Sequence, residues 1–464
     1  MKFKELLPRA RCLSLLGISS NKKQAMQIHA QMITNSLLNE AEAVVELMEN
    51  YFSIKEGEEY ARLVFWNSDA ALKNLSAWSA LIQRCYLFES LPLYAQQIRM
   101  GVMPDKTSNI CVLRACARTL ALREGVQIHA QVFKAGFASD MALQTTCIHF
   151  YGNCRDIDSA YHVFDEMRER SCVTWNAMLS AYCLCLRAKK ALELFNRMLR
   201  EGVKPTERTA LPVLSACAQL GELDKGTAAH GFICKAIVDY HEDLFIGTGM
   251  VDMYSKCGSL SNASKVFEEM TQRNVLAWTA MTAGLAMHGK GQEALRMLES
   301  MQEQGIMPNA VTFTCLLTAC CHAGLVQEGL HLFELMQIRF GLKPQVQHYS
   351  CAVDLLGRTG MVDEAYDVIR NMPIEPDAVV WRTLLSACKM HNCVELATEA
   401  AGKLLQTDQA SPMAIDTCED FVALSNVYAS AKRWDDVLMV RKEMKNLGIH
   451  NKPGFSSVNA HLLD

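Results

Sequence analysis

Four tryptophans set the period of this chain. Trp78, Trp175, Trp278 and Trp381 are separated by 97, 103 and 103 residues, and each stands in a similar phrase: SAWSALI, VTWNAML, LAWTAMT and VVWRTLL. Two further phrases recur between them. ICVLRACARTLALREG at 110 returns as LPVLSACAQLGELDKG at 211 and TCLLTACCHAGLVQEG at 314, and TCIHFYGNCRDIDSAYHVFDEM at 146 returns as GMVDMYSKCGSLSNASKVFEEM at 249 and CAVDLLGRTGMVDEAYDVIRNM at 351. Self-similarity at a fixed period marks a repeat architecture. Each superperiod splits into units of about 35, 31 and 35 residues. Within 172–206, Met178, Leu179 and Tyr182 recur at helical spacing, and after a loop Ala191, Leu192, Leu194, Phe195 and Met198 form a second apolar face that ends at Gly202 and Pro205. Two short helices cannot bury such faces alone, so stacked hairpins must supply the core, which predicts an all-α solenoid with a concave face.

Composition agrees with one folded array. Half of the 464 residues are hydrophobic, 21% are charged, and Gly (25) and Pro (11) are sparse, which excludes a disordered or collagen-like chain. The net charge of −4 does not announce a strongly basic nucleic-acid binder, although Lys2, Lys4, Arg9, Arg11, Lys22 and Lys23 outweigh Glu5 and Glu40 in residues 1–40. Nineteen cysteines, an odd number with no secretory signal, point to reduced thiols in an intracellular compartment. No CxxC and no HxE occurs, so neither zinc nor any other cofactor is expected. No apolar run is long enough to span a bilayer. The basic, Ser-containing first twenty residues fit an organellar presequence or an ordinary amphipathic first helix equally well.

These units resemble pentatricopeptide (PPR) repeats of the plant PLS class over essentially residues 7–455. The parse is L 7–40, S 41–74, P 75–105, L 106–140, S 141–171, P 172–206, L 207–243, S 244–274, P 275–309, a variant L 310–345 and a variant S 346–377. HYSCAVDLLGRTGMVDEAYDVIRNMPIEPD at 348–377 resembles the family's last S motif. VVWRTLLSACKMHNCVELATEAAGKLL at 379–405 and FVALSNVYASAKRWDDVLMVRKEMKNLGIHNKPGFS at 421–456 resemble its two E motifs. The resemblance implies a right-handed α-solenoid of about thirteen helix-turn-helix repeats, with a short segment 1–6, a PPR array 7–377, E motifs 378–455 that dock protein, and a degenerate end 456–464. Departures are specific. Unit 75–105 is about four residues short and 207–243 two long, 41–60 is acidic and poorly matched, 406–419 carries an insertion, and PGFSSVNA replaces the family's PGCSWIEV. The deaminase-like DYW domain of many relatives does not follow.

Catalytic signatures are missing: no GxxxxGK[ST], GxSxG or HExxH occurs. Cys116, Cys217, Cys320 and Cys388 each stand in the phrase [RST]AC, as small buried residues at a helix contact would. His29 and His129 both lie in QIHAQ, which favours a repeat-structural role, so the chain is not expected to be an enzyme. Binding chemistry is better founded. Small polar residues stand at the fifth position of the P and S units: Ser79, Thr145, Asn176, Thr248, Thr279 and Ser350. A second polar residue ends each unit: Asp105, Ser171, Thr206, Asn274, Asn309 and Asp377. One side chain per repeat on a concave face can read an extended single strand base by base. The competing reading is that these residues are N-caps.

Family resemblance implies that the two positions form a recognition code. Ser79 with Asp105 and Ser350 with Asp377 imply guanine, Thr248 with Asn274 and Thr279 with Asn309 adenine, Asn176 with Thr206 a pyrimidine, and Thr145 with Ser171 a purine. The RNA read 5′ to 3′ is then G, skip, purine, pyrimidine, skip, A, A, skip, G. The implied function is a site-recognition factor for organellar C-to-U RNA editing, in the mitochondrion or alternatively the chloroplast. Its partners would be single-stranded organellar RNA, a DYW-type deaminase in trans and the multiple organellar RNA editing factors, with no membrane. Alternatives are an RNA splicing, stabilisation or translation factor, and a protein-interaction scaffold of the tetratricopeptide kind.

Overall fold

The computed structural model describes residues 9–18, 21–86, 88–237, 242–408 and 417–446, and all regular structure among them is helical. The segments 1–6 and 456–464, the PGFSSVNA phrase and part of the 406–419 insertion lie outside the described residues. The chain divides into two compact units, Met1–Leu220 and Gly221–Asp464. The boundary falls between the two helices of the repeat at 207–243, Glu207–Leu220 and Leu223–Ala236.

Within each unit helices pair as antiparallel hairpins, and first helices begin at Ala41, Leu75, Lys106, Met141, Cys172, Glu207, Leu244, Val275, Ala310, Val346 and Ala378, the first residues of the sequence repeats. Within each of the two compact units first helices pack on one another in chain order, and a second helix packs on the first helices beside it in that compact unit. Two such layers around one apolar interior are what short amphipathic hairpins need to exclude water. The shortness of unit 75–105 comes out of both of its helices: Leu75–Arg84 and Ser90–Arg99 have ten residues each, against thirteen in Cys172–Leu184 and Ala188–Arg200. The poorly matched stretch after 41 folds as Ala41–Ser53 and Glu58–Trp66, followed by a short extra helix Asp69–Leu72.

A recurring aromatic contact explains the tryptophan period. Trp78 and Trp175 are fully buried, and Trp278 is nearly so. Each meets edge-on a phenylalanine from the second helix of the preceding unit: Phe65–Trp78 at 4.8 Å, Phe164–Trp175 at 5.0 Å and Phe267–Trp278 at 5.0 Å between centroids. This is the favoured geometry for an aromatic pair and contributes about 0.5–1.5 kcal/mol beyond its buried area. Arginine brackets two of the three: Arg170 and Arg273 lie over the Phe164 and Phe267 rings, and their Nε atoms donate to the Phe164 and Phe267 carbonyls at 3.0 and 2.7 Å. A second recurring contact joins an L unit to the following S unit: the Nδ1 atoms of His29, His129 and His230 lie 3.1, 2.9 and 2.8 Å from the hydroxyls of Tyr51, Tyr151 and Tyr254. Partial burial lowers the pKa of His29 and His129, so both are neutral, half-buried hydrogen-bonded groups between units, the repeat-structural role their shared phrase predicts.

Cysteines occupy the core in the same repeating way. Cys116, Cys217, Cys320 and Cys388 are buried at 0, 1, 0 and 0% exposure. Burial pushes the Cys116, Cys320 and Cys388 thiols up to about 12, 11 and 12, far from the depressed values a nucleophile needs. No group of three or more potential metal ligands occurs among the described residues, and no described helix is long and apolar enough to cross a membrane.

Candidate nucleic-acid interface

The register of the hairpins sets the geometry of the candidate pairs. Residue five of a unit lies on its first helix, and the last residue of that unit precedes the next first helix, so each pair spans neighbouring first helices. All of the expected terminal residues except Thr206 are N-caps. Asp105, Ser171, Asn274, Asn309 and Asp377 have extended backbones, and their side-chain oxygens accept helix N–H groups at 2.8 Å (Ser108), 3.4 Å (Thr174), 3.0 and 3.1 Å (Leu276, Ala277), 2.9 Å (Thr312) and 3.0 Å (Val380). At Thr206 the roles reverse, with the Thr206 N–H donating to Thr209 Oγ1 at 3.0 Å.

Capping leaves a defined remainder of each side chain. The Asn274 and Asn309 caps use the amide oxygen, so the NH2 is left to donate. In Asp105 and Asp377 the cap uses Oδ1, and the second carboxylate oxygen can accept. At the fifth position, hydroxyl protons turn back on their own helix: Ser79 donates to Leu75 O at 3.0 Å, Thr145 to Met141 O at 2.7 Å, Thr248 to Leu244 O at 2.6 Å and Thr279 to Val275 O at 2.7 Å. Their oxygens keep lone pairs for a donor.

The structure adds a third member that the sequence reading missed. The third residue of the following first helix stands between the two expected ones. Ser79 Oγ lies 3.2 Å from Ser108 Oγ, Thr145 Oγ1 3.0 Å from Thr174 Oγ1, and Thr279 Oγ1 2.8 Å from Thr312 Oγ1. Thr209 Oγ1 donates to Asn176 Oδ1 at 2.8 Å, and Asn176 Nδ2 reaches Thr206 Oγ1 at 3.4 Å. Thr312 Oγ1 also lies 3.0 Å from Asn309 Oδ1 and accepts the Asn309 N–H at 3.3 Å, so its single proton serves either Asn309 or Thr279. Ser108, Thr174, Thr209 and Thr312 are each at most 1% exposed. The available signal was a hydroxyl at the third helical position after a capping residue, where a capping box places its reciprocal partner. Two pairs lack this bridge. After Asn274 the third helical position is Ala277, which offers Thr248 no hydroxyl, and Ser350 meets Thr383 Oγ1 at 3.3 Å instead, with Val380 at the third position.

Fold and repeat register together define helical hairpins in which each P and S unit from residue 75 onward carries one polar pair. Its family is shown by comparison with known proteins, and the chain belongs to the pentatricopeptide repeat family. The PPR repeat profile matches residues 145–172, 248–275, 311–339 and 348–375, the PPR repeat family profile matches 170–219 and 273–322, and the E motif profile matches 391–459. The Arabidopsis thaliana pentatricopeptide repeat-containing protein At3g18970 is 41% identical over 98% of this chain and 99% of its own length. A second Arabidopsis relative, At1g59720, named as chloroplastic/mitochondrial, is 38% identical over 97% of this chain and 72% of its own length. Among solved structures, maize PPR10 superposes with a TM-score of 0.62 at 19% identity, covering 92% of this chain and 61% of that one. PPR10 in complex with an 18-nucleotide psaJ RNA element superposes at 0.66 with 18% identity, covering 92% and 64%.

Proposed function

We propose that this protein binds single-stranded RNA sequence-specifically and selects sites for organellar C-to-U editing. One observation carries the binding reading: at successive units the N-cap fixes which half of the terminal side chain stays free, and the fifth-residue hydroxyl offers an acceptor beside it. Adenine presents N1 as acceptor and its exocyclic amine as donor, which suits the free amide NH2 of Asn274 or Asn309 and the Thr248 or Thr279 oxygen. Guanine presents N1–H and an exocyclic amine, both donors, which suits the spare carboxylate oxygen of Asp105 or Asp377 and the Ser79 or Ser350 oxygen. Capping and base reading are thus two uses of one side chain. Likeness to PPR10, a protein crystallised with an RNA element, supports the same reading.

Editing rests on the E motif match and on the surface there. Trp434, Leu438 and Met439 on the helix Trp434–Asn446 are 62, 67 and 64% exposed, an apolar face suited to docking a deaminase supplied in trans. Relatives named as chloroplastic or mitochondrial support an organellar site of action. In gel shifts, Thr279→Asn with Asn309→Asp is expected to move the preferred base at that unit from A towards U, and unchanged preference defeats the register. Comparing organellar transcriptomes of a knockout and its parent tests the editing role: at least one C-to-U site should lose editing. Full editing with altered splicing or abundance of a transcript rejects it.

A further inference from the structure

The code as read from the sequence, which starts at the unit 75–105, skips the three L units that follow it. Two of them justify this, because Ile110 and Leu211 stand at their fifth positions. The third, 310–345, is built differently. Thr314 is its fifth residue, half-buried, and Thr314 Oγ1 donates to Ala310 O at 3.1 Å, the same back-bond made by Thr248 and Thr279. His348, the third residue of the next first helix, takes the place Thr312 holds in the preceding set. It is fully buried, its Nε2 lies 3.2 Å from Thr314 Oγ1, and its Nδ1 accepts the Gln345 N–H at 2.9 Å, as Thr312 Oγ1 accepts that of Asn309. Because Nδ1 is an acceptor here, Nε2 carries the proton and donates to Ala310 O at 2.8 Å. The ring is therefore fixed in tautomer and orientation, and it holds Thr314 and Gln345 on either side. Gln345 is exposed, with a carboxamide that can donate and accept.

From this equivalence we infer that the unit 310–345 reads a base, an adenine, through Thr314 and Gln345, with His348 as the positioning residue. The RNA pattern becomes G, skip, purine, pyrimidine, skip, A, A, A, G. Adenine follows because the Thr314 oxygen, its proton committed to Ala310, accepts from the exocyclic amine while the Gln345 NH2 donates to N1. The inference rests on the reading of the protein as a single-strand RNA binder.

The test uses the full chain and a set of nine-nucleotide RNAs carrying the other assigned bases, with the eighth base varied through A, G, C and U and, separately, the seventh. The wild-type chain is expected to prefer A over the pyrimidines at position eight by about 5–10-fold, the effect of one or two specific hydrogen bonds. Thr314→Val, which removes the hydroxyl and keeps the shape, should flatten position eight while leaving discrimination at position seven intact, so a misfolded variant is recognised by loss at both. Gln345→Ala, a change at an exposed residue, should weaken position eight as well. Discrimination at position seven with equal binding of all four bases at position eight overturns the inference and leaves the RNA-binding reading standing. So does a position-eight preference that survives Thr314→Val. If the wild-type chain binds none of these RNAs, the RNA-binding reading falls and takes the inference with it.

Discussion

Adding a single methyl group at Gly152 tests whether contact between first helices holds the stack together. A Cβ there would stand 2.6 Å from the Cβ of Ala181 and 3.1 Å from its Cα. Carbon atoms in contact sit about 3.5–4.0 Å apart, so the helices Met141–Asn153 and Cys172–Leu184 must separate by about 1 Å. Two effects oppose each other. Alanine is favoured over glycine in a helix interior by about 0.8–1.0 kcal/mol, less at the penultimate residue of a helix, where Gly152 lies. Overpacking costs about 1–3 kcal/mol, and here the obstacle includes a backbone atom that no rotamer change removes. Net destabilisation of about 1–2 kcal/mol is expected. Ala181→Gly reopens the space, so the cycle of Gly152→Ala, Ala181→Gly and the double variant isolates the clash from helix propensity. A favourable coupling of at least about 1 kcal/mol is expected from urea unfolding followed by far-UV circular dichroism. Coupling near zero, or a Gly152→Ala variant more stable than the parent, would refute the claim that first helices meet this closely.

Other consequences can be measured directly. Because burial lowers the His29 and His129 pKa values from the ordinary 6.5, their contribution to stability is complete above that value and is lost as pH falls through the depressed folded values. The urea midpoint should therefore decline between pH 7 and pH 5, and His129→Asn should decline less. Thiol labelling of the native chain should modify the exposed Cys234 first and spare Cys116, Cys320 and Cys388 until denaturant is added. Arg114 and Arg118 lie four and eight residues beyond Ile110, on the stripe of their helix that continues the fifth position, and both are exposed. No carboxylate pairs with either among the described residues, and burial lowers the His149 pKa with a further contribution from both arginines, whereas Lys256 and Arg358 at the second of these registers pair with Asp252 and Asp354 at 2.8 Å. If the unpaired arginines contact RNA phosphates, Arg114→Gln with Arg118→Gln should make the salt dependence of RNA binding shallower by about 1.4 in log–log slope, with base preference unchanged.

Much of the fold was legible because its information is local and repeated. Tryptophan spacing gave the three-unit period, and the polar residue ending a P or S unit marked the next helix start, because Asp105, Ser171, Asn274, Asn309 and Asp377 cap the helices that follow. The [RST]AC phrase identified core cysteines since a residue recurring at one register meets one environment. Terminal residues were legible both as caps and as candidate base readers, and at Asp105, Asn274, Asn309 and Asp377 the structure makes these uses compatible: one atom of the side chain bonds to the helix and another remains free.

The sequence alone therefore determined the period, the helical class and the register of the polar pairs. Tertiary structure decided what depends on the distance between helices that are thirty residues apart in the chain. Ser108, Thr174, Thr209 and Thr312 look like ordinary helix residues until the stack sets them against Ser79, Thr145, Asn176 and Thr279. His348 gives no sign in the sequence of its place between Thr314 and Gln345. The separation of the chain at Leu220, inside a repeat that reads as one unit, was equally unreadable. Local pattern specifies each hairpin and its caps, but the approach of neighbouring first helices follows from how their side chains interlock, and only that approach brings the polar side chains of two repeats together.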